Sequence, residues 1–76
     1  MHVVIAKVDE NLYDGEAVSM TLPGREGEMT VLSEHEPLIT TLKAGTITVR
    51  SQSGEKEFLI ESGVLEVRRD GATVIL

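Results

Sequence analysis

Residues 46–61 read TITVRSQSGEKEFLIE and carry the clearest structural signal in this chain. Within the first part, Ile47 and Val49 alternate with threonine and arginine, the period of two that predicts a β-strand with one buried face. A second strand-like run follows at 57–61, and the Ser53-Gly54 dipeptide between the two runs is typical of tight turns. The segment therefore predicts a β-hairpin.

The same pattern extends in both directions from this hairpin. Asp70-Gly71 separates strand-like runs at 64–68 and 73–76, which predicts a second hairpin. Glycine or proline recurs every eight or nine residues beyond Pro37, so only residues 1–14 leave room for a helix of ordinary length. The chain also contains 21 Val, Ile and Thr residues, which favour strands. An all-β chain is the prediction.

Short strands at regular spacing favour a sandwich or a barrel. We expect one domain over residues 1–76, a two-sheet β-sandwich or flattened barrel of about 8–10 short strands. The side chains predicted to face inward are Val3 or Val4, Ile5, Val18, Met20, Leu22, Met29, Val31, Leu42, Ile47, Val49, Phe58, Ile60, Leu65, Val67, Val74 and Leu76.

The charge and composition exclude several classes of function. Thirteen acidic and seven basic side chains give a net charge of −6, which repels phosphate backbones and argues against nucleic acid as a partner. The whole excess lies in residues 1–38, with eight acidic and two basic side chains. The chain lacks cysteine, and His2 and His35 are far apart, so neither a disulfide nor a cysteine-rich or histidine-rich metal site is expected. No apolar run reaches the roughly 20 residues that span a bilayer, and no signal peptide is recognisable, so direct membrane insertion is not expected.

The densest chemical segment is 24–38, GREGEMTVLSEHEPL, with four glutamates and a histidine. In an extended chain, Glu34 and Glu36 point to the face opposite His35, which disfavours a metal site. A hydrolase using Ser33 and His35 needs a third orienting group and a pocket that a chain this short hardly encloses. Catalysis, a metal and a cofactor are therefore not predicted.

Two interpretations of this segment stay open: a solvated acidic loop and a recognition loop. Gly24 and Gly27 resemble a phosphate loop only superficially, because no Lys and Ser/Thr follow and no helix begins there. A recognition loop on a rigid β scaffold is favoured by Pro37-Leu38, which offers an apolar edge within a polar rim. Lys43 raises a further alternative, a small acidic carrier domain that bears biotin or lipoate on a lysine at a hairpin tip, although its flanking residues do not fit that class.

Three ordered motifs carry a resemblance to a known family. The first is Leu12-Tyr13-x-Gly15-Glu16-Ala17-Val18, and the last is Ser62-Gly63-Val64-Leu65-Glu66-Val67. The most distinctive lies between them and runs from Gly27-Glu28-Met29-x-Val31-Leu32 through His35-Glu36-Pro37-Leu38-Ile39-Thr40 to Leu42-Lys43-x-Gly45. Together they resemble the N-terminal β domain of the epsilon-subunit family of F-type ATP synthase, called delta in mitochondria. The family usually has glycine in place of Thr30, proline and glycine in place of Ser33 and Glu34, and proline in place of Ala44.

The resemblance implies a non-catalytic subunit of the central stalk that couples rotation of the c ring to the gamma subunit during ATP synthesis. It implies that the residues that bind the c ring or gamma are Gly27, Glu28, Met29, His35, Glu36, Pro37 and Leu38. Of these, the Gly27–Glu28 turn would face the c ring, and His35, Pro37 and Leu38 would lie near the gamma side. It also implies a peripheral position on the cytoplasmic face of the bacterial inner membrane. Family members generally continue into two antiparallel helices, and we expect this chain to consist of the β domain alone.

Overall fold

The computed structural model describes all 76 residues, which form nine β-strands and no helix. The strands are β1 (His2–Lys7), β2 (Glu10–Glu16), β3 (Ser19–Gly24), β4 (Gly27–Leu32), β5 (Leu38–Leu42), β6 (Gly45–Ser51), β7 (Gly54–Ile60), β8 (Gly63–Arg68) and β9 (Gly71–Ile75). The strand count and the all-β class agree with the prediction.

The nine strands form one continuous sheet that folds into two layers. The first layer has the order β2-β1-β9-β8-β5, and the second has the order β4-β3-β6-β7. Every neighbouring pair is antiparallel except β1 and β9, which run parallel. This curled sheet confirms the predicted sandwich.

The two layers join at a corner formed by the last residues of β3 and β5. β6 pairs with β3 only as far as Thr21, and β5 then takes over the same edge of β3 at Gly24. Pro23 lies at this exchange, where its carbonyl accepts a hydrogen bond from the Lys43 N–H at 2.9 Å. Proline fits because no donor is required of it at the point where one partner strand leaves and the next begins.

The register places the strand connections at two ends of the sandwich. The connections β1–β2, β3–β4, β5–β6 and β7–β8 lie at the end that contains the corner, which we call the corner end. The connections β2–β3, β4–β5, β6–β7 and β8–β9 lie at the opposite end, the far end. A surface at one end is therefore separated from the other by the length of a strand.

Both predicted hairpins are present, but their two glycines, Gly54 and Gly71, are needed for different reasons. Gly54 has φ +129°, so its backbone conformation does favour glycine. Gly71 has no positive φ; a Cβ atom there would clash with the carbonyl oxygen of His2. The glycine allows β9 to approach β1 closely in the parallel pair.

Fourteen apolar residues form one buried core between the layers. Most were predicted to face inward, and Met29, Phe58 and Leu76 pack against the core while partly exposed. The prediction for Val18 is wrong, since 53% of this residue is exposed and Ala17 is buried in its place. The chain crosses between the layers here, with Ala17 bonded to Met1 and Val18 to Arg50, so the alternation of strand β3 does not extend back to residue 18. Ala72 is a further core residue that was not predicted.

The only two aromatic residues close the side of the sandwich away from the corner. Tyr13 on β2 and Phe58 on β7 meet edge to face, with ring centroids 6.2 Å apart. The ammonium group of Lys56 lies 5.8 Å from the Tyr13 ring centroid. Edge-to-face pairs contribute about 0.5–1.5 kcal/mol beyond the area they bury. They hold the outermost strands of the two layers together where no main-chain ladder does.

Candidate partner-binding surface

The first candidate surface is the hairpin between β3 and β4, at the corner end. Gly24 and Gly27 pair across a two-residue loop of Arg25 and Glu26, both of which are exposed. Gly27 has φ +140°, a conformation that side-chain-bearing residues rarely adopt. A tight turn therefore presents one positive and one negative side chain at its tip, immediately before the acidic residue Glu28.

Glu28 and Met29 point to opposite faces of β4. Met29 is half-buried and packs against the core, whereas Glu28 is exposed on the outer face of the second layer. There Glu28 lines a shallow groove of about 410 Å³, all of whose lining residues are polar, glycine or proline: Thr21, Pro23, Glu28, Lys43, Gly45, Thr46, Thr48 and Glu57. Lys43 and Glu57 lie beside Glu28 only in the folded chain. They are distant from Glu28 in the sequence, so no sequence motif indicated that they would share this groove.

The second candidate surface is the loop between β4 and β5, at the far end. Glu34 has φ +63° and is the only residue other than glycine with positive φ. The Nδ1 atom of His35 lies 2.7 Å from the carbonyl oxygen of Glu36, which holds the half-buried imidazole against its own backbone. Pro37 is exposed, and Leu38, the next residue, is half-buried and packs against the core.

The structure separates the two predicted groups of site residues instead of joining them. Gly27, Glu28 and Met29 start β4 at the corner end, while His35, Glu36 and Pro37 follow its last residue at the far end. Six residues of strand span roughly 17–20 Å. Leu38 is the exception, because it shares a shallow groove of about 250 Å³ with Met29. The candidate site is thus two surfaces connected along β4.

Both surfaces carry carboxylates without ion-pair partners. The ion pairs in the structure involve other acids, such as the Arg50–Glu55 pair at 2.8 Å and the His2–Asp14 pair at 2.7 Å. Glu26, Glu28, Glu34 and Glu36 take part in none of them. Unpaired exposed carboxylates are acceptors for Arg, Lys or backbone N–H groups of another protein, and such charge-assisted bonds are stronger than neutral ones.

The arrangement does not assemble the parts of a catalytic or carrier site. His35 bonds to Glu36, and no hydrogen bond joins it to Ser33. No group of three or more His, Cys, Asp or Glu side chains converges at a spacing that suits a metal ion. Lys43 lies at the bend between β5 and β6, two strands that do not pair with each other, whereas the carrier alternative needs a lysine at the tip of a hairpin.

The largest cleft lies at the far end and was not predicted. It has a volume of about 720 Å³, and its lining includes the Tyr13 ring and the hydroxyl groups of Ser33, Ser51 and Ser53. Ser51 and Ser53 already satisfy each other at 3.0 Å within the β6–β7 turn. The lining residues come from β2, from the end of β6 and from three separate connections, so sequence spacing gave no signal for the cleft.

Comparison with known proteins identifies the family. The family model described as the β-sandwich domain of the ATP synthase delta/epsilon chain matches residues 1–76. The chain belongs to this family. It is 37% identical to the ATP synthase epsilon chain of Bordetella avium and 36% identical to that of Delftia acidovorans, in each case over 76 residues and 99% of this chain.

The chain spans about half the length of these curated relatives, since it covers 54% and 55% of them. Among solved structures, a chain in the Euglena gracilis mitochondrial ATP synthase structure, described as OSCP/F1/c-ring, superposes with a TM-score of 0.87 and 25% identity. The superposition covers 96% of this chain and 48% of that one. A chain in the central stalk/c-ring structure of Tetrahymena thermophila mitochondrial ATP synthase has a TM-score of 0.82 and shares the fold at 14% identity, with 97% of this chain and 60% of that one covered. Our structure contains no helix with the length and apolarity of a membrane span.

Proposed function

We propose that this chain is a non-catalytic rotor subunit of an F-type ATP synthase, located in the central stalk, where it couples the c ring to the gamma subunit. The observation that carries the proposal is the match of the family's β-sandwich domain to all 76 residues. The superposition on a chain of an F1/c-ring structure supports it independently. In this role the domain performs no reaction; it transmits torque.

The proposal assigns the two surfaces to two partners. The corner-end turn, Gly27, Glu28 and Met29, faces the c ring, where the Glu28 carboxylate accepts hydrogen bonds from polar or basic groups of the ring. The far-end residues His35, Glu36, Pro37 and Leu38 face gamma. Their separation along β4 supports this division, because a coupling domain has to hold two partners at two places on one rigid body.

Rigidity follows from how the domain is built. Forty of its 46 backbone hydrogen bonds lie within the strand ladders, and the core is a single cluster. Protein interiors are close-packed, so they deform little and transmit strain. A force applied at the corner end therefore reaches the far end without a hinge in between.

The proposed location is peripheral, on the cytoplasmic face of a bacterial inner membrane, as part of the synthase complex. The curated relatives from Bordetella avium and Delftia acidovorans support a bacterial complex. The proposal also takes residues 1–76 as one domain that carries both partner surfaces.

Reconstitution of a rotor tests the proposal. The chain is assembled with the gamma subunit, the c ring and the catalytic head of the same organism's synthase, and binding and ATP-driven rotation are measured for the wild type, Glu28→Lys and Glu10→Lys. Glu10 is a matched control, since it is exposed, unpaired in the structure and undergoes the same charge change on β2. We expect Glu28→Lys to lose ring coupling while it keeps its fold, and Glu10→Lys to behave as wild type. A wild-type chain that binds neither gamma nor the ring contradicts the proposal.

A further inference from the structure

Four strands lie at the edges of the two layers. β5 joins β3 at the corner, and the other three, β2, β7 and β4, differ in how their edges are protected. β2 carries a β-bulge, where Leu12 is skipped between the pairs Ala6–Asn11 and Ile5–Tyr13. β7 carries the charged run Glu55-Lys56-Glu57. Bulges and charges are the devices by which proteins prevent unwanted pairing at sheet edges. β4 has neither a bulge nor a charged run: its six residues are Gly-Glu-Met-Thr-Val-Leu and pair in unbroken register with β3.

The hydrogen-bonding direction along β4 follows from its hairpin. Gly24 and Gly27 close a two-residue loop and exchange main-chain hydrogen bonds. The next residues of β4 that bond to β3 are therefore Met29 and Val31. Glu28, Thr30 and Leu32 alternate with them and direct their N–H and C=O groups away from β3. The contact of 3.3 Å between the Thr30 and Thr21 hydroxyl oxygens agrees with a non-hydrogen-bonded pair, in which side chains lie closer.

These outward main-chain groups have no partner in the structure. β4 pairs with β3 alone, and no other backbone hydrogen bond or side-chain hydrogen bond reaches the main chain of Glu28, Thr30 or Leu32. Three consecutive outward positions form a regular template for one more strand. Their side chains are exposed, and Leu32, at 56% exposure, adds an apolar contact at the far end.

The charges at both ends of this edge indicate the chemistry of its occupant. Glu26 and Glu28 flank the start of β4, Glu34 and Glu36 follow its end, and none of the four is in an ion pair. A strand laid along β4 would meet carboxylates at each end. Basic residues at the two ends of that strand would complement them, whereas a second acidic copy of this chain would be repelled.

We propose that the free edge of β4 binds an extended segment of the gamma subunit, flanked by Lys or Arg, which adds a strand to the second layer through main-chain hydrogen bonds. The inference rests on the proposed function only in taking gamma as the partner. Gamma is chosen over the c ring because the far end of this edge, at Leu32, continues into the loop of His35 and Glu36 that the proposal assigns to gamma.

Amide exchange resolved by residue tests this pairing on the intact chain. In the free chain, Glu28, Thr30 and Leu32 amides exchange quickly, while those of Met29 and Val31 are already protected. Addition of gamma is expected to slow exchange at Glu28, Thr30 and Leu32 by about tenfold or more. Bound gamma without this alternating protection overturns the inference and leaves the proposed function intact; absence of gamma binding overturns the proposed function itself.

A pair of proline variants provides an independent test. Thr30→Pro removes an outward N–H without breaking a bond to β3, and Leu59→Pro does the same on the edge of β7, where the loop pair Ser51–Gly54 sets the same alternation and Leu59 is exposed. We expect Thr30→Pro to weaken gamma binding about tenfold or more, Thr30→Val to change it less than about twofold, and Leu59→Pro to leave it unchanged.

Thermal unfolding of each variant establishes that it is folded before binding is measured. Equal binding by Thr30→Pro and wild type overturns the inference, as does an equal loss in both proline variants. If Thr30→Pro does not fold, the amide-exchange pattern of the wild-type chain with gamma tests the inference instead. Protection of the same three amides by self-association, without gamma, or by the c ring alone also overturns it.

Discussion

The two ends of β4 both turn the chain through a residue with positive φ, but the residue types differ. Each end turns the chain sharply and presents glutamates to solvent, and each requires a residue with positive φ. The corner-end hairpin places glycine there, Gly27 at φ +140°, whereas the far-end loop places Glu34 there at φ +63°. A side chain in the left-handed region costs roughly 1–2 kcal/mol. The hairpin is therefore unstrained and short, and the loop stores strain at a position where the resemblance places a glycine in the family.

The largest effect is expected from placing a side chain at the hairpin glycine, Gly27. Gly27→Ala forces alanine into a backbone conformation that favours glycine, although a Cβ atom there meets nothing within 4 Å. The expected loss of unfolding free energy is about 1–3 kcal/mol, measured by urea denaturation. Gly15→Ala is the control, because its Cβ meets only the Tyr13 side chain at 3.6 Å and its φ is not positive. Equal effects of the two substitutions would contradict a backbone origin.

A smaller effect is expected from the contact that fixes the hairpin to the core. Met29 is half-buried, and Met29→Ala removes its packing against the core beside Leu38. Replacing a fully buried methionine by alanine lowers the free energy of unfolding by about 2–5 kcal/mol. For the half-buried Met29 we expect a loss of about 1–2 kcal/mol in the same denaturation experiment. Thr30→Ala, on the exposed face of the same strand, is expected to change stability by less than about 0.5 kcal/mol. A cost at Met29 no larger than at Thr30 would mean that the hairpin is not anchored there.

The strain in the far-end loop is tested by restoring glycine. Glu34→Gly relieves a left-handed side chain but adds conformational entropy to the unfolded chain, and the net expectation is a gain of about 0.5–1 kcal/mol. Glu36→Gly removes the same charge two residues away at a position without positive φ, where only the entropic cost applies. A ranking in which Glu34→Gly is no more stable than Glu36→Gly would refute the assignment of strain to Glu34.

The smallest effect is expected at His35. His35→Ala removes the exposed contact between its Nδ1 atom and the Glu36 carbonyl oxygen, with an expected loss of about 0.5 kcal/mol or less. The measurement that distinguishes structure from function is gamma affinity, which the proposed function expects to fall while stability hardly moves. A large loss of stability with unchanged affinity would make His35 a structural residue of the loop.

The sequence places the candidate residues in one motif, but it does not predict how they are arranged in space. The motif residues from Gly27 to Leu38 stand in one short stretch of sequence, which gave no sign that β4 would separate them into two surfaces. Lys43 and Glu57 come beside Glu28 only because β6 pairs with β3 and β7 with β6. Such neighbours are set by strand order, and strand order is a long-range property of the chain.

The all-β class, the hairpins at residues 46–61 and 64–76 and most of the core follow from local sequence patterns, because period-two alternation and turn dipeptides each act over a few residues. Which strands became neighbours depended on packing between distant segments. This packing placed the corner at Pro23, made Gly71 necessary through the approach of β9 to His2, and turned Val18 outward where the chain crosses between layers. Those features depend on contacts between segments far apart in sequence, and burying both layers' apolar faces in a single core fixes them together.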